Sequence, residues 1–435
     1  MRVRYLLVEE KLLKNRLLYN YDVQVMLFVF ILILVCFCFC TELVFAEDRP
    51  IEELYFEGFR FLDSNEYAQA ENIFWEILNI NPNHPESHFQ LGQIYRLTNQ
   101  PEKAKIYYQN AINLKTGYLS AYYNLGLAEF ELEEYSNAIK SLIETIRIAP
   151  DFSDAHYTLG LTYLKTGNIN LAIDSFNQSL QLTPGDYQSY YGLGICYKEI
   201  GDFEKAIQSL NQALEIKPDY GPAFRELGLI YKDLERHSEA VSALERAAHY
   251  LPEEAAQIYF QIGIIHQKLE DIEQAIESFK KATQNNEELV EAYYYLGWLH
   301  NQSAQFEQAI AAYQQVAELN PEYTHLFYNL GWAYNEVNQY QDAVNSFEKA
   351  IEQSPDDADA HYALGWTYGK IEEYENAKRS FLQAIRLEPD YIYAHYGLGV
   401  SYLAMGERNL ALEEYIILKE LDNDIADLLF DQIYP

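Results

Sequence analysis

Residues 324–357 read THLFYNLGWAYNEVNQYQDAVNSFEKAIEQSPDD, and residues 358–391 read ADAHYALGWTYGKIEEYENAKRSFLQAIRLEPDY. Aligned without a gap, the two strings share glycine (Gly331, Gly365), alanine (Ala343, Ala377) and proline (Pro355, Pro389) at the same places. In the first string, Phe327, Leu330 and Tyr334 follow the three-four spacing of a helix with one apolar stripe. A second stripe runs through Ala343, Phe347, Ala350 and Ile351. Gly331 and Ala343 lack bulk, so two helices can cross closely there, and Pro355 removes a backbone donor and ends the second helix. One hairpin cannot bury both stripes, whereas stacked neighbours can.

Working outward in both directions, the glycine recurs at Gly58, Gly92, Gly126, Gly160, Gly194, Gly228, Gly263, Gly297, Gly331, Gly365 and Gly399. Every step is 34 residues except one of 35. An alanine follows each glycine by twelve positions, from Ala70 to Ala411, and a proline closes most units. The repeats divide the chain into 51–84, 85–118, 119–152, 153–186, 187–220, 221–255, 256–289, 290–323, 324–357, 358–391 and 392–425. Residues 47–50 form a short linker, and 426–435, with Leu428, Leu429, Phe430 and Ile433, read as a helix capping the last unit. Ala255 is the inserted residue. With Pro222, Arg225 and Glu287 it marks Gly221–Leu289 as a local irregularity, and Thr116-Gly117 replaces another closing proline.

This pattern resembles the tetratricopeptide repeat family, whose 34-residue helix–turn–helix units carry small residues at these two positions. The resemblance covers residues 51–425. It implies an all-α, right-handed superhelical solenoid of about eleven repeats. First helices would line a concave groove and second helices face outward.

Composition narrows the partners. The chain has 435 residues and a net charge of −35; residues 1–46 hold five basic and four acidic side chains, leaving 26 basic against 62 acidic. No basic stripe stands out against that background, so nucleic acid is not an expected partner. Three of four cysteines (Cys36, Cys38, Cys40) lie in an N-terminal apolar run, and Cys196 alone can build neither a disulfide nor a zinc site. That run, Val25 to Cys40, follows five basic residues and precedes Val44-Phe45-Ala46. Residues 1–46 therefore read as a signal peptide cut after Ala46, or as a signal anchor. Either way the positive flank places the repeats outside the cytoplasmic membrane, periplasmic or extracellular if cut and anchored if not. Contact with the membrane is expected only through that segment.

No catalytic, metal or cofactor site is expected. Outside the repeats there is too little chain for a catalytic domain. Gly192-Leu193-Gly194 and Gly397-Leu398-Gly399 lie inside helices at the repeat glycine, not after strands. His156, His361 and His395 share a packing position, and no pair of histidines has metal-ligand spacing. Function then falls to the groove. In this family the fifth and ninth residues of the first helix commonly point into it. Ten of the eleven fifth positions here are aromatic, with Arg225 the exception, and three successive ninth positions are Trp298, Trp332 and Trp366. With Tyr294, Tyr328 and Tyr362 they form a stripe of six rings, near Asn301 and Asn335. Two readings stand side by side: an anchor for apolar side chains of a peptide or helix, or packing between repeats copied together. Sugar stacking is a further use of such rings. The family's carboxylate clamp needs Lys and Asn at these positions, which this chain lacks. The expected function is a non-catalytic protein-interaction scaffold of the cell envelope, with a carbohydrate-binding module of a polymer export system as the alternative.

Overall fold

The computed structural model describes residues 50–435; residues 1–46, expected above to be a signal peptide or signal anchor, and linker residues 47–49 lie outside the described residues. The described chain is helical, with no strand, and divides into two compact blocks. The N-terminal block, ending at Pro184, holds four hairpins. They are α1–α2 (Ile51–Asp63, Tyr67–Ile80), α3–α4 (Pro85–Leu97, Pro101–Leu114), α5–α6 (Leu119–Glu131, Tyr135–Ile148) and α7–α8 (Ser153–Lys165, Ile169–Leu182). The C-terminal block, from Gly185, holds seven. Its first four are α9–α10 (Tyr187–Glu199, Phe203–Ile216), α11–α12 (Gly221–Asp233, His237–Tyr250), α13–α14 (Ala255–Lys268, Ile272–Asn285) and α15–α16 (Val290–Gln302, Phe306–Leu319). Then come α17–α18 (Leu326–Glu336, Tyr340–Gln353), α19–α20 (Ala358–Lys370, Tyr374–Leu387), α21–α22 (Ile392–Ala404, Arg408–Leu421) and a last helix α23 (Asn423–Ile433).

The repeat glycine receives a large side chain from the second helix of its own hairpin, sixteen residues on. A Cβ on Gly331 would sit 2.7 Å from the Phe347 ring, on Gly297 2.6 Å from Tyr313, and on Gly160 2.7 Å from Phe176. The repeat alanines, Ala343 and Ala377 among them, are fully buried at the crossing. Each first helix ends on a left-handed residue at the fifteenth position of its repeat, where glycine fits without strain. Gly167, Gly201 and Gly406 fill it in three repeats; Glu133, Glu235, Glu270, Glu372 and Ala304 adopt the same φ in others. The shared histidine position has a bonding role. His88, His156, His361 and His395 each meet, through Nε2, the carbonyl oxygen of the proline six residues before.

Two helix starts depart from the pattern, each where the third residue of the first helix is large. The third position of a first helix is small and buried in most repeats, as at Ala292, Ala360 and Ala394. In the seventh repeat it is Ile258, and there the extra Ala255 lengthens the helix start. In the ninth it is Leu326, fully buried, and α17 begins two residues later than the sequence places the repeat. His325 turns left-handed (φ 60°) to make room. The closing helix also differs from its expected range. It begins at Asn423, capped by Asp422. Ala426, Leu429 and Ile433 are the buried residues, while Leu428 and Phe430 face solvent. Leu429 reaches Gly399, taking the place that a second-helix side chain fills elsewhere.

Within each block the first helices pack on first helices of the next repeat, as α15 on α17, α17 on α19 and α19 on α21. The second helices lie farther apart. The first-helix side is thus the inner face of each block, and it positions the candidate site.

Candidate functional site

The fifth-position rings have a partner that the sequence reading did not assign. Six of them lean on a ring 29 positions later, in the linker that opens the next hairpin. In the N-terminal block the ring pairs are Tyr55–His84, Phe89–Tyr118 and Tyr123–Phe152, with centroids 5.7, 5.2 and 4.8 Å apart. In the C-terminal block they are Tyr191–Tyr220, Tyr294–Tyr323 and Tyr362–Tyr391, at 5.3, 4.7 and 5.2 Å. Where Arg225 breaks the aromatic series, its 29th neighbour is Glu254, and the two form an ion pair. This position therefore ties one hairpin to the next. Tyr328 is a departure: its 29th neighbour is Asp357, which caps α19 by accepting a hydrogen bond from the Ala360 amide. Its ring leans on Trp332 (6.4 Å) and Phe347 (6.0 Å) instead.

The six rings of the stripe do not form one continuous row. Trp332 and Trp366 face each other across adjacent first helices at 5.6 Å, both half-buried. Trp332 also rests on Phe347 at 5.7 Å. Trp298 is half-buried against a core cluster shared by the seventh and eighth repeats and makes no ring contact with Trp332 among the described residues. Tyr294 is turned to its linker, and its hydroxyl accepts a hydrogen bond from Asn329 at 3.0 Å. Burial holds the phenols of Tyr328 and Tyr362 above the ordinary tyrosine range, and that of Tyr294 too despite the Asn329 bond, so all three stay neutral donors.

The two asparagines differ. Asn335 is buried, and its amide donates to the Thr367 hydroxyl on the next first helix at 2.9 Å. It is a link between repeats and not a group free for a ligand. Asn301 is half-buried; the residue matching Thr367 in its neighbour is Ala333, and its side chain makes no hydrogen bond among the described residues. In the tenth repeat this twelfth position is Gly369, and a Cβ there would meet nothing within 4 Å.

That glycine opens onto a hollow of about 340 Å³ between α19, α20, α21 and α23. Trp366 and Tyr362 line one side, Tyr393 and Val400 the other, with Gln432 of the closing helix at its edge. Val400 holds the ninth position that tryptophan fills in the three preceding repeats, which leaves the space unfilled. Lys370 stands at the hollow with its ammonium 4.5 Å from the centre of the Trp366 ring. Among the described residues Lys370 makes no ion pair. Sequence reasoning missed Gly369, Lys370 and Val400, although a repeat-by-repeat comparison shows both substitutions. Among the described residues no group of three His, Cys, Asp or Glu side chains is placed to hold a metal ion.

The fold and this inner face define a repeat protein of stacked helical hairpins. Family profiles described as "Tetratricopeptide repeat" match residues 151–219 and 346–379, and "TPR repeat" matches 126–167 and 370–406. "Tetratricopeptide repeat protein 21 C-terminal ARM domain" matches 193–359, and "Anaphase-promoting complex, cyclosome, subunit 3" matches 63–145. The chain belongs to the tetratricopeptide repeat family. Among solved structures, MamA is 28% identical over 37% of this chain and 94% of its own, with a TM-score of 0.36. YrrB, described as a TPR protein with an unusual peptide-binding site, is 22% identical over 41% of this chain and 92% of its own, at 0.36. A tetratricopeptide repeat protein from Parabacteroides merdae is 21% identical over 57% of this chain and 98% of its own, at 0.44. These are likenesses of repeat type and carry no information on a ligand. No curated protein matches the chain significantly.

Proposed function

We propose that this chain is a non-catalytic interaction scaffold that receives a peptide or helical segment of a partner protein on the inner face of α15, α17 and α19. The observation that carries this reading is the Trp332–Trp366 pair: two large rings 5.6 Å apart on adjacent first helices, each with surface left open. Rigid aromatics of this kind supply contact area at little conformational cost and dominate interface energetics. The apolar run and Ala46 in the sequence support a scaffold on the outer side of the cytoplasmic membrane, free or anchored. The carbohydrate alternative has less support, because Asn335, one of its two expected amides, is engaged with Thr367.

Affinity capture from envelope extracts tests the proposal, with the full chain as bait beside a Trp298→Ala/Trp332→Ala/Trp366→Ala variant of checked helicity. A protein held by the wild type and lost by the variant is expected. Equal capture by both moves the interface off this face, and a glycan-array signal without protein capture replaces the reading with the carbohydrate one.

A further inference from the structure

The groove reading leaves open what kind of segment binds and where it is anchored. Resting on that reading, we infer that the hollow beside Trp366 is the anchor point, and that it takes a bulky apolar side chain with a carboxylate next to it. Three observations carry this. The space is made by small residues at two positions that are large in the preceding repeats: Gly369 where Asn301 and Asn335 stand, and Val400 where Trp298, Trp332 and Trp366 stand. Its volume, about 340 Å³, suits one large side chain and its flanking backbone, and its walls are mostly aromatic. Third, the local charge is reversed. The chain carries 66 acidic against 31 basic residues, yet among the described residues no acidic side chain lines the hollow and the one charged group there is Lys370. Among the described residues that ammonium has no carboxylate partner, and it sits over the Trp366 ring. An apolar side chain entering beside Trp366 brings its neighbouring residue to Lys370, where a carboxylate gains a charge-assisted contact partly shielded from water. The rest of the segment is neutral or basic, because the acidic surface repels a strongly acidic chain.

The experiment uses a display library of random nine-residue peptides selected on the full chain. Winning peptides are then measured by fluorescence anisotropy against variants that fill or recharge the hollow without removing a ring. Gly369→Asn and Val400→Trp each install the side chain that preceding repeats carry there, so both are expected to fold; thermal unfolding checks this for each. The expected result is enrichment of a large apolar residue within one or two positions of Asp or Glu. Affinity should fall about tenfold or more on either filling variant, a loss of about 1.4 kcal/mol. Lys370→Gln should weaken the acidic peptide several-fold and leave its Asp→Asn or Glu→Gln analogue unchanged. Peptides selected without an acidic residue, or bound equally by both filling variants, overturn the anchor while leaving the groove reading intact. If those peptides instead lose affinity on Trp298→Ala, the anchor lies two repeats away. No peptide enriched above an unrelated control overturns both.

Discussion

Gly331→Ala adds one methyl group at the point where α17 meets Phe347. The new carbon would lie 2.7 Å from two atoms of that ring, whereas ordinary contact begins at 3.4 Å, so the ring must retreat by about 0.7 Å. Phe347 is fully buried, and its ring is backed by Tyr328 at 6.0 Å and Trp332 at 5.7 Å, which leaves little room. Overpacking of this kind costs roughly 1–3 kcal/mol. Replacing a mid-helix glycine with alanine returns about 1 kcal/mol of helix propensity. The net expectation is a loss of about 0–2 kcal/mol, and more for Gly331→Leu. Gly369→Ala is the matched control. It makes the same chemical change in the next first helix, where the methyl group meets nothing within 4 Å. There only the propensity gain of about 1 kcal/mol remains. Because repeat arrays unfold in parts, amide hydrogen exchange in α17 and α19 is a better assay than one global melting curve. The two substitutions should move local protection in opposite directions, or at least differ by about 1–3 kcal/mol in favour of Gly369→Ala. Equal protection, or a more protected α17 in Gly331→Ala, would refute the packing argument.

Three further outcomes are expected. Ala304→Gly relieves a left-handed alanine at an exposed first-helix end and should raise stability by roughly 0.5–1 kcal/mol in urea titrations; no gain would mean the turn is not held in that conformation. Asn335→Ala breaks the buried bond to Thr367 between the ninth and tenth repeats and should cost about 1 kcal/mol, with the same loss in a Thr367→Val background only if the two groups act independently. His395 is buried, which by itself lowers its pKa, but Glu414 on Nδ1 at 2.6 Å and the Pro389 carbonyl on Nε2 reverse the shift and raise it. A raised value in the folded state stabilises below the unfolded pKa of about 6.5, and the contribution is lost as pH rises through the folded value. The melting temperature of wild type minus that of His395→Gln should therefore shrink as pH rises above about 6.5; a difference that grows with pH contradicts the pairing.

The period, the helix pairs and the glycine register were legible in the sequence because each repeat must solve the same packing problem with the same residue types. Gly331 and Ala343 announce a helix crossing wherever they recur. The fifth-position rings were legible as residues but not in their role, since their partners lie 29 residues on in linkers that carry no helical signal. Tyr323 and Tyr391 could have been found by asking which linker residues are aromatic whenever the fifth position is. The late start of α17 depends on Leu326 filling a place sized for alanine, a tertiary conflict that no local preference shows. Asn335 reads in sequence like Asn301, and only the Thr367 hydroxyl opposite separates a packing amide from a free one. The hollow is a matter of what is missing at Gly369 and Val400, so no motif marks it.

Partner segments held on the inner face of the first helices from the eighth repeat onward would leave a footprint in backbone exchange. Hydrogen–deuterium exchange of the full chain, with and without a segment it captures, reads that footprint helix by helix. Slowed exchange at α15, α17, α19 and α21, with α16 and α18 unchanged, is the predicted footprint. Protection confined to the second helices, or to the N-terminal block, would contradict it.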